Sequence, residues 1–537
     1  MNILGLGGSG HSFSACLLNN GEIEYAIEEE RLNRVNYSLL PDESIHIARS
    51  RAASYCLKSS KVSVNEIDLI IGNDLMNELY YSKFREKIIL INHHLSHASS
   101  SYFTSEFDEA AILVIDSRGS NNGVARRSQS KDSVETFSYY YGKNNKIREL
   151  GKNSGEMVDK YYPTNSIGEF YDTLTRELNI DFLNIRKTME LSSYGSNEYV
   201  QAFEGFYDFN EKTGIFKRTN SQIIKMKNFI RKKINEANID RIFQERADIA
   251  FAGQYHLEKI VIGLANLVYK KTRSTNICLS GGIFLNNFLN SKVLERTPFK
   301  KVYIFPGAGD SGLSIGSALY GFHVLNNRPK VTRRPFSPYL GREYEEKEIL
   351  NALTEKSNLV SYSVPLNLYE EVANLLASGK IVGWFQGRSE FGSTALGNRS
   401  ILMSHHFSNL GFKHEIKAKE NNPLKPDTIS ALQNHLNFEL DCPSYYGMLS
   451  SSTENGEERI PAIPCKYHIH TVNKSMNYKF FKLISKFQEK TNIPYLFTRA
   501  LCNNNEPLAE SPIDAIKLLL NSKMDYLVIE DYLIERA

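Results

Sequence analysis

Read for its alternation of apolar and polar positions, the first third of the chain switches repeatedly between strand and helix. "MNILGLGG" is a short apolar run closing on glycines, and "SFSACLLNNGEIEYAIEEERL" reads as strand, Asn-Gly hairpin and strand running into a charged helix. "EIDLIIGND", "EKIILINHH" and "AAILVIDSRGS" are further buried strands. From about Ile223 to Tyr269 the period becomes helical, after which "NICLSGGIFLNN" and "KVYIFPGAGDSGLSIGSALYG" each give strand, glycine turn and helix start. Strands that end in Gly-, Asp- and Ser-rich turns predict an α/β fold with ligands bound beyond the strand termini. Residues 326–344, "NNRPKVTRRPFSPYLGREY", have little periodicity and read as a linker or domain boundary. Beyond them come a helical stretch, "KIVGWFQGRSEFGSTALGNRSIL", the polar "ENNPLKPD", and "LSSSTENGEE", which reads as a mobile loop. A helix–strand pair, "DAIKLLLNSKMDYLVIED", closes the chain.

Length and composition narrow the class. At 537 residues the chain predicts two or three domains, each with its own core. A formal charge of +3 argues against a broad nucleic-acid or membrane-surface footprint. The N-terminus lacks a basic region followed by a long apolar core, so it does not read as a signal peptide, and no apolar run reaches a membrane span. Six cysteines without CxxC pairing (Cys16, Cys56, Cys278, Cys442, Cys465, Cys502) read as reduced thiols of a cytoplasmic protein.

Candidate chemistry begins at "NHHLSHASS", which places His93, His94 and His97 within five positions. His93 and His97, four apart, share one face of a helix, the spacing that presents two imidazoles to one ion. Asp116 closes the strand "AAILVID", and Asp310 lies in "GAGDSG". Each acid alone is an ordinary turn or helix cap. Together with the imidazoles they form a mixed nitrogen and oxygen set suited to Fe(II), Zn(II), Mn(II) or Mg(II). The turns "GLGGSGHS", "DSRGSNNG", "LSGG" and "PGAGDSG" follow apolar strands. Their backbone N–H groups, with Gly8, Gly119, Gly281, Gly282 and Gly309 leaving them unobstructed, suggest a nucleotide cleft.

The segments "GHSFSACLL…GEIEYAIEEERLNR", "HHLSHA", "VIDSRG", "CLSGGIFLN", "GAGDSGLSIGSAL" and "GWFQGRSEFGSTALGNRSIL" resemble the O-carbamoyltransferases, in order over nearly the whole chain. That family includes the nodulation-factor, tobramycin and cephamycin carbamoyltransferases. The resemblance implies an actin-like ATPase (TsaD-like) domain over 1–330, a linker over 331–345 and an α+β YrdC-like domain over 346–537. The second domain would make carbamoyl-adenylate from ATP, with Mg(II), and carbamoyl phosphate; the first would pass the carbamoyl group to a hydroxyl or amine of a small-molecule acceptor. By resemblance His93, His97, Asp116 and Asp310 hold iron(II) or another divalent metal. Gly281, Gly282 and Asn286 line the nucleotide site, with Lys187 beside them, and Arg388, Asn398 and Arg399 serve the second domain. His11 becomes the candidate general base and Arg399 a candidate catalytic residue. No nucleic acid or membrane partner is implied, and a homodimer is compatible with the family.

Departures from the family pattern cluster in two places. Ser12, Ser117, Ser120 and Glu190 replace an aspartate, a glycine, an acid and a glycine in the first domain. In the second, Thr394, Lys425 and His468 stand where arginines are expected, Lys419 and Pro426 are kept, and "FTRALCNNNEP" disturbs another arginine. Arginine forks bind phosphates bidentately, so their loss predicts a changed donor. Two further readings follow: an adenylate-forming transferase or ligase using another donor, and a non-catalytic nucleotide-binding paralogue.

Overall fold

A computed structural model describes residues 1–38, 50–82, 87–121, 133–158, 162–181, 184–330, 335–404, 427–436, 443–450, 467–503 and 506–537. Most of "ENNPLKPD" and "LSSSTENGEE", Lys419, Lys425, Pro426, Cys442 and Cys465 lie outside the described residues. The first half is built on two sheets of five strands. One comprises β1 (Asn2–Gly7), β2 (Ser14–Asn19), β3 (Glu22–Glu28), β4 (Leu69–Asn73) and β5 (Ile88–Ile91), in the order β3-β2-β1-β4-β5. The expected Asn-Gly hairpin joins β2 to β3, Asn20 and Gly21 both taking positive φ (49° and 92°), as a tight hairpin turn needs.

The second sheet comprises β6 (Glu109–Ile115), β7 (Ser133–Lys143), β8 (Lys146–Glu156), β11 (Asn276–Ser280) and β12 (Lys301–Ile304), while β9 (Asp208–Asn210) and β10 (Ile215–Lys217) form a separate ribbon. Its order, β12-β11-β6-β7-β8, repeats that of the first sheet. In each, one central strand has an antiparallel hairpin on one side and two parallel strands on the other. This duplicated α/β arrangement is the actin-like architecture. Helices His93–Thr104 and Leu313–Tyr320 pack together between the sheets. They come so close that a Cβ at Gly316 would stand 2.0 Å from the Ser96 carbonyl oxygen. The stretch read as continuously helical is two helices, Asn220–Glu236 and Ile242–Thr272, because Ala237 turns extended and ends the first.

The second half is an α+β domain on one mixed sheet. Its strands are β13 (Val360–Ser363), β14 (Val382–Phe385), β15 (Arg399–Met403), β16 (Thr428–Leu432), β17 (Leu449–Ser450), β18 (His468–Val472), β19 (Tyr495–Ala500), β20 (Tyr526–Ile529) and β21 (Tyr532–Arg536). They run in the order β13-β21-β20-β14-β15-β19-β16-β18-β17. Side chains alternate across it: Ile401, Met403, Leu527 and Ile529 pack on one face with helices Glu346–Glu355 and Pro512–Leu520. Leu402, Trp384 and Val528 pack on the other with Leu368–Ala377 and Tyr478–Thr491. The closing pair gains β21, returned by a turn at Glu530 (φ 49°).

The halves are tightly joined. Arg31 donates to the carbonyls of Glu390 and Gly392, and Arg34 to those of Pro507 and Leu508. Asn290 donates to the Met448 carbonyl, and Ser291 Oγ accepts from Ser450. Of the segment read as a linker, the described residues 335–345 take part in this joint, Tyr339 bridging to Glu390 and the Leu340 carbonyl accepting from Ala26. Among the described residues Cys16, Cys56, Cys278 and Cys502 are free thiols, and no helix is long and apolar enough to cross a membrane.

Candidate metal centre

Strand β5 delivers Asn92, whose side chain accepts from Leu95 N–H and starts the helix bearing His93 and His97. Both imidazoles are buried and turn toward Asp116, just past β6, and Asp310, just past β12. His93 Nε2 lies 3.4 Å from Asp116 Oδ2 and 3.5 Å from Asp310 Oδ1; His97 Nε2 lies 3.1 and 3.4 Å from the same two oxygens. All four ligand atoms fall within 4.8 Å of one another. Ligands about 2.1 Å from a common ion stand roughly 3.0–3.4 Å apart along octahedral or tetrahedral edges, so the spacing fits one divalent ion.

Contacts behind the cluster orient it. Asn73 Nδ2 donates to the Gly8 carbonyl, which leaves Asn73 Oδ1, 3.2 Å from His93 Nδ1, as an acceptor. The proton therefore sits on His93 Nδ1, and Nε2 presents its lone pair to the cluster. Burial alone would push His97 down, but the carboxylates of Asp116 and Asp310 reverse this and carry it up to about 9. Burial would raise Asp116, yet hydrogen bonds from His93 and His97 hold it well below the usual carboxylate range. Without an ion, a proton on His97 does part of the ion's neutralising work.

His11 approaches from the first glycine turn, its Nε2 3.9 Å from Asp310 Oδ2 and its Nδ1 3.0 Å from Ser12 Oγ. At 31% side-chain exposure it is the open member of the group. His94 faces away, its Nδ1 2.8 Å from Ser138 Oγ, and burial followed by the charges of His93 and His97 pushes its pKa well down.

The glycine turns meet around this cluster. Gly281 (φ 102°) touches β6, where a Cβ would stand 2.2 Å from the Ile115 carbonyl oxygen, and a Cβ at Gly282 would lie 3.3 Å from Asp116 Oδ1. Gly8 (φ 123°) sits against His11 and Phe13; Gly119 makes room for His94; Gly309 precedes Asp310 beside Leu285. Asn286 is turned inward, capping Leu289 N–H and donating to Gln254 Oε1, while Lys187 is exposed on helix Ile185–Ser192.

The second half places its expected residues differently. Arg388 donates to the carbonyls of Gly341, Leu340 and Glu24. Arg399, fully buried, donates to those of Gln386, Asn398 and Gly387 and lies 3.4 Å over the Phe385 ring. Asn398 Nδ2 donates a hydrogen bond to the Arg388 carbonyl. These three build the turn and the joint between the halves, and the structure does not bring them to the histidine cluster.

One acid went unnoticed in the sequence. Asp172, inside helix Ile167–Glu177, accepts from Ser117 Oγ at 2.5 Å, and burial pushes it up to about 8. A helix-interior aspartate gives no spacing signal that would single it out.

Comparison with known proteins adds the family. Residues 76–319 match the model of the carbamoyltransferase N-terminus and residues 373–536 that of the carbamoyltransferase C-terminus. Uncharacterized protein sll1178 of Synechocystis sp. is 27% identical, covering 100% of this chain and 97% of that protein. Nodulation protein NolNO of Sinorhizobium fredii is 25% identical over 98% of this chain and 79% of its own length. The 3'-hydroxymethylcephem-O-carbamoyltransferase of Amycolatopsis lactamdurans is 26% identical over 48% of each.

Proposed function

The chain belongs to the carbamoyltransferase family, and from that premise we propose that it moves a carbamoyl group from a carbamoyl-adenylate to a hydroxyl or amine of a small acceptor. Residues 346–537 would form the adenylate from ATP and carbamoyl phosphate, and residues 1–330 would carry out the transfer. The observation that carries this reading is the convergence of His93, His97, Asp116 and Asp310 on one point, with His11 at its open edge. The donor set suits iron(II) or another divalent ion, which when bound would supply Lewis-acid stabilisation of phosphate charge.

The protein's own groups do the rest. Gly281 and Gly282 let the backbone approach whatever lies against Asp116, without side chains intervening. As the acceptor oxygen bonds to the carbamoyl carbon, the bond from that carbon to the adenylate phosphate oxygen breaks and AMP departs. His11 Nε2 takes the acceptor proton, with Ser12 Oγ in reach of Nδ1 to hold the ring's orientation. Asp310 Oδ2, 3.9 Å from His11 Nε2, would stabilise the imidazolium that this transfer creates.

The test pairs composition with turnover. Iron-loaded wild-type protein should carbamoylate members of a panel of hydroxylated and amino acceptors, and Asp310→Asn should lose both bound metal and transfer. Full transfer by a metal-free Asp310→Asn protein would refute the reading.

A second reading has one observation in its favour. Arg388 and Arg399, expected to serve a phosphorylated donor, donate instead to backbone carbonyls. An adenylate-forming transferase or ligase that activates a different acid would not need them. Pyrophosphate release that depends on another carboxylic acid, and not on carbamoyl phosphate, would select it.

A further inference from the structure

Where the two halves meet, a further guanidinium besides those of Arg31 and Arg34 crosses from the first to the second. Arg186, on helix Ile185–Ser192, donates from Nη2 to the Thr394 hydroxyl at 2.9 Å. Thr394 is buried against Gly447, where a Cβ would stand 2.5 Å from Thr394 Cγ2. The Gly447 carbonyl oxygen lies 3.1 Å from Nδ1 of His468, the first residue of β18. A carbonyl only accepts, so the proton is on Nδ1 and His468 Nε2 carries a bare lone pair. That nitrogen is buried and has no hydrogen-bond partner among the described residues, in a ring only 4% exposed. Burial first, and the nearby Arg186 charge second, hold the ring at about 4, so it is neutral at physiological pH. A buried acceptor left unpaired is costly, and it is satisfied by a ligand that brings an N–H or O–H.

Burial pulls the Arg186 guanidinium below its ordinary value, opposed in part by the charges of Asp427 and Glu190 and by the Tyr37 hydroxyl. The cluster therefore holds one cation, flanked by the Asp427 and Glu190 carboxylates, and one neutral acceptor, joined through Thr394 and Gly447. A ligand matched to both carries an anionic oxygen at one end and a hydrogen-bond donor at the other.

We propose that Arg186 and His468 determine donor specificity, Arg186 taking an anionic oxygen of the phosphate and His468 Nε2 accepting an N–H of the group to be transferred. This rests on the carbamoyltransferase reading, because the carbamoyl group ends in such an N–H. It differs from recognition by arginines alone in requiring a donor proton on the transferred group. It also makes the site depend on both halves of the chain, since Arg186 comes from one and His468 from the other.

Acetyl phosphate, with a methyl group in place of the amide nitrogen, isolates the second contact. Calorimetric titration of the full chain with freshly dissolved carbamoyl phosphate and with acetyl phosphate should show a preference of about tenfold or more for the first. His468→Leu should bring the two to parity, and His468→Gln, which keeps an acceptor near the Nε2 position, should retain the preference. Arg186→Met should weaken both ligands about tenfold or more, with partial recovery in Arg186→Lys. A purely structural role for His468 would change both affinities together and leave their ratio unaltered. The inference is overturned if the wild-type protein binds the two equally or binds neither, if His468→Leu leaves the ratio unchanged, or if Arg186→Met leaves both affinities unchanged. Should His468→Leu fail to fold, loss of the preference in His468→Gln would overturn it equally. The carbamoyltransferase reading is judged separately, by carbamoyl-phosphate-dependent pyrophosphate release from the wild-type chain, which is independent of this ratio.

Discussion

Replacing Arg31 with methionine tests how the two halves are held together. Arg31 is 3% exposed and spends its guanidinium on three groups: the Glu390 carbonyl at 2.5 Å, the Gly392 carbonyl at 2.8 Å and the Glu28 carboxylate. Its Nε stands 2.9 Å from Glu28 Oε2, an ion pair without hydrogen-bond alignment. Methionine keeps the length but leaves two carbonyls without donors, at about 1–3 kcal/mol each. That predicts a loss of about 2–6 kcal/mol from this source. Glu28 adds a pH dependence. Burial raises it to about 7 even with Arg31 opposing, and without Arg31 it titrates higher still. A carboxyl raised on folding binds its proton more tightly in the native state, so stability is greatest below its ordinary value and falls as pH rises to the folded value. The wild-type chain stops losing stability through Glu28 near pH 7, whereas the variant continues to lose it, by up to about 1.4 kcal/mol per pH unit. The deficit should therefore be larger at pH 8 than at pH 6. Urea unfolding followed by fluorescence of Trp384, the sole tryptophan and fully buried in β14, reads this directly. A deficit below about 1 kcal/mol, or one identical at both pH values, would refute the reasoning.

His97, carried up to about 9 by its two carboxylates, lends the metal-free protein stability that is complete below about pH 6.5 and lost as pH rises through 9. Chelated wild-type protein should thus show a falling melting temperature across that window, and chelated His97→Gln should not; equal slopes would count against the assigned contacts. With iron supplied, His97→Gln should bind less than about one-tenth of the wild-type metal as measured by elemental analysis. Arg399→Met should destabilise the second half by about 2 kcal/mol or more, because the Gln386 and Gly387 carbonyls lose a donor while the Asn398 carbonyl keeps the Gln386 N–H. An unchanged Trp384 unfolding midpoint would show that those bonds contribute little.

Much of the candidate site was legible because its signals are local. A histidine pair four apart, an aspartate at a strand end and glycines in turns each announce their geometry within a few residues, and the fold then brings them together. Contacts made across the fold carried no such signal: Asn73, which orients His93, and Asp172, which holds Ser117, look like ordinary polar residues in sequence. The β7–β8 hairpin was missed because Val134–Tyr140 of β7 is buried on both faces, which erases the alternation that marks a strand. Arg388 and Arg399 show the opposite difficulty. Their motif is conspicuous, but spacing alone does not say that the side chains turn inward to backbone carbonyls rather than outward to a phosphate. The helical period of Ile223–Tyr269 likewise hid a break, since Ala237–Arg241 interrupts the backbone without interrupting the composition.

One incubation decides whether the chain carries out adenylate-mediated carbamoyl transfer. Iron-loaded protein is mixed with ATP, Mg(II) and carbamoyl phosphate in the absence of acceptor, and the products are read by mass spectrometry. Pyrophosphate should appear together with carbamoyl-adenylate, both dependent on carbamoyl phosphate. Bound metal and bound ATP with neither product would contradict it and point to a different donor.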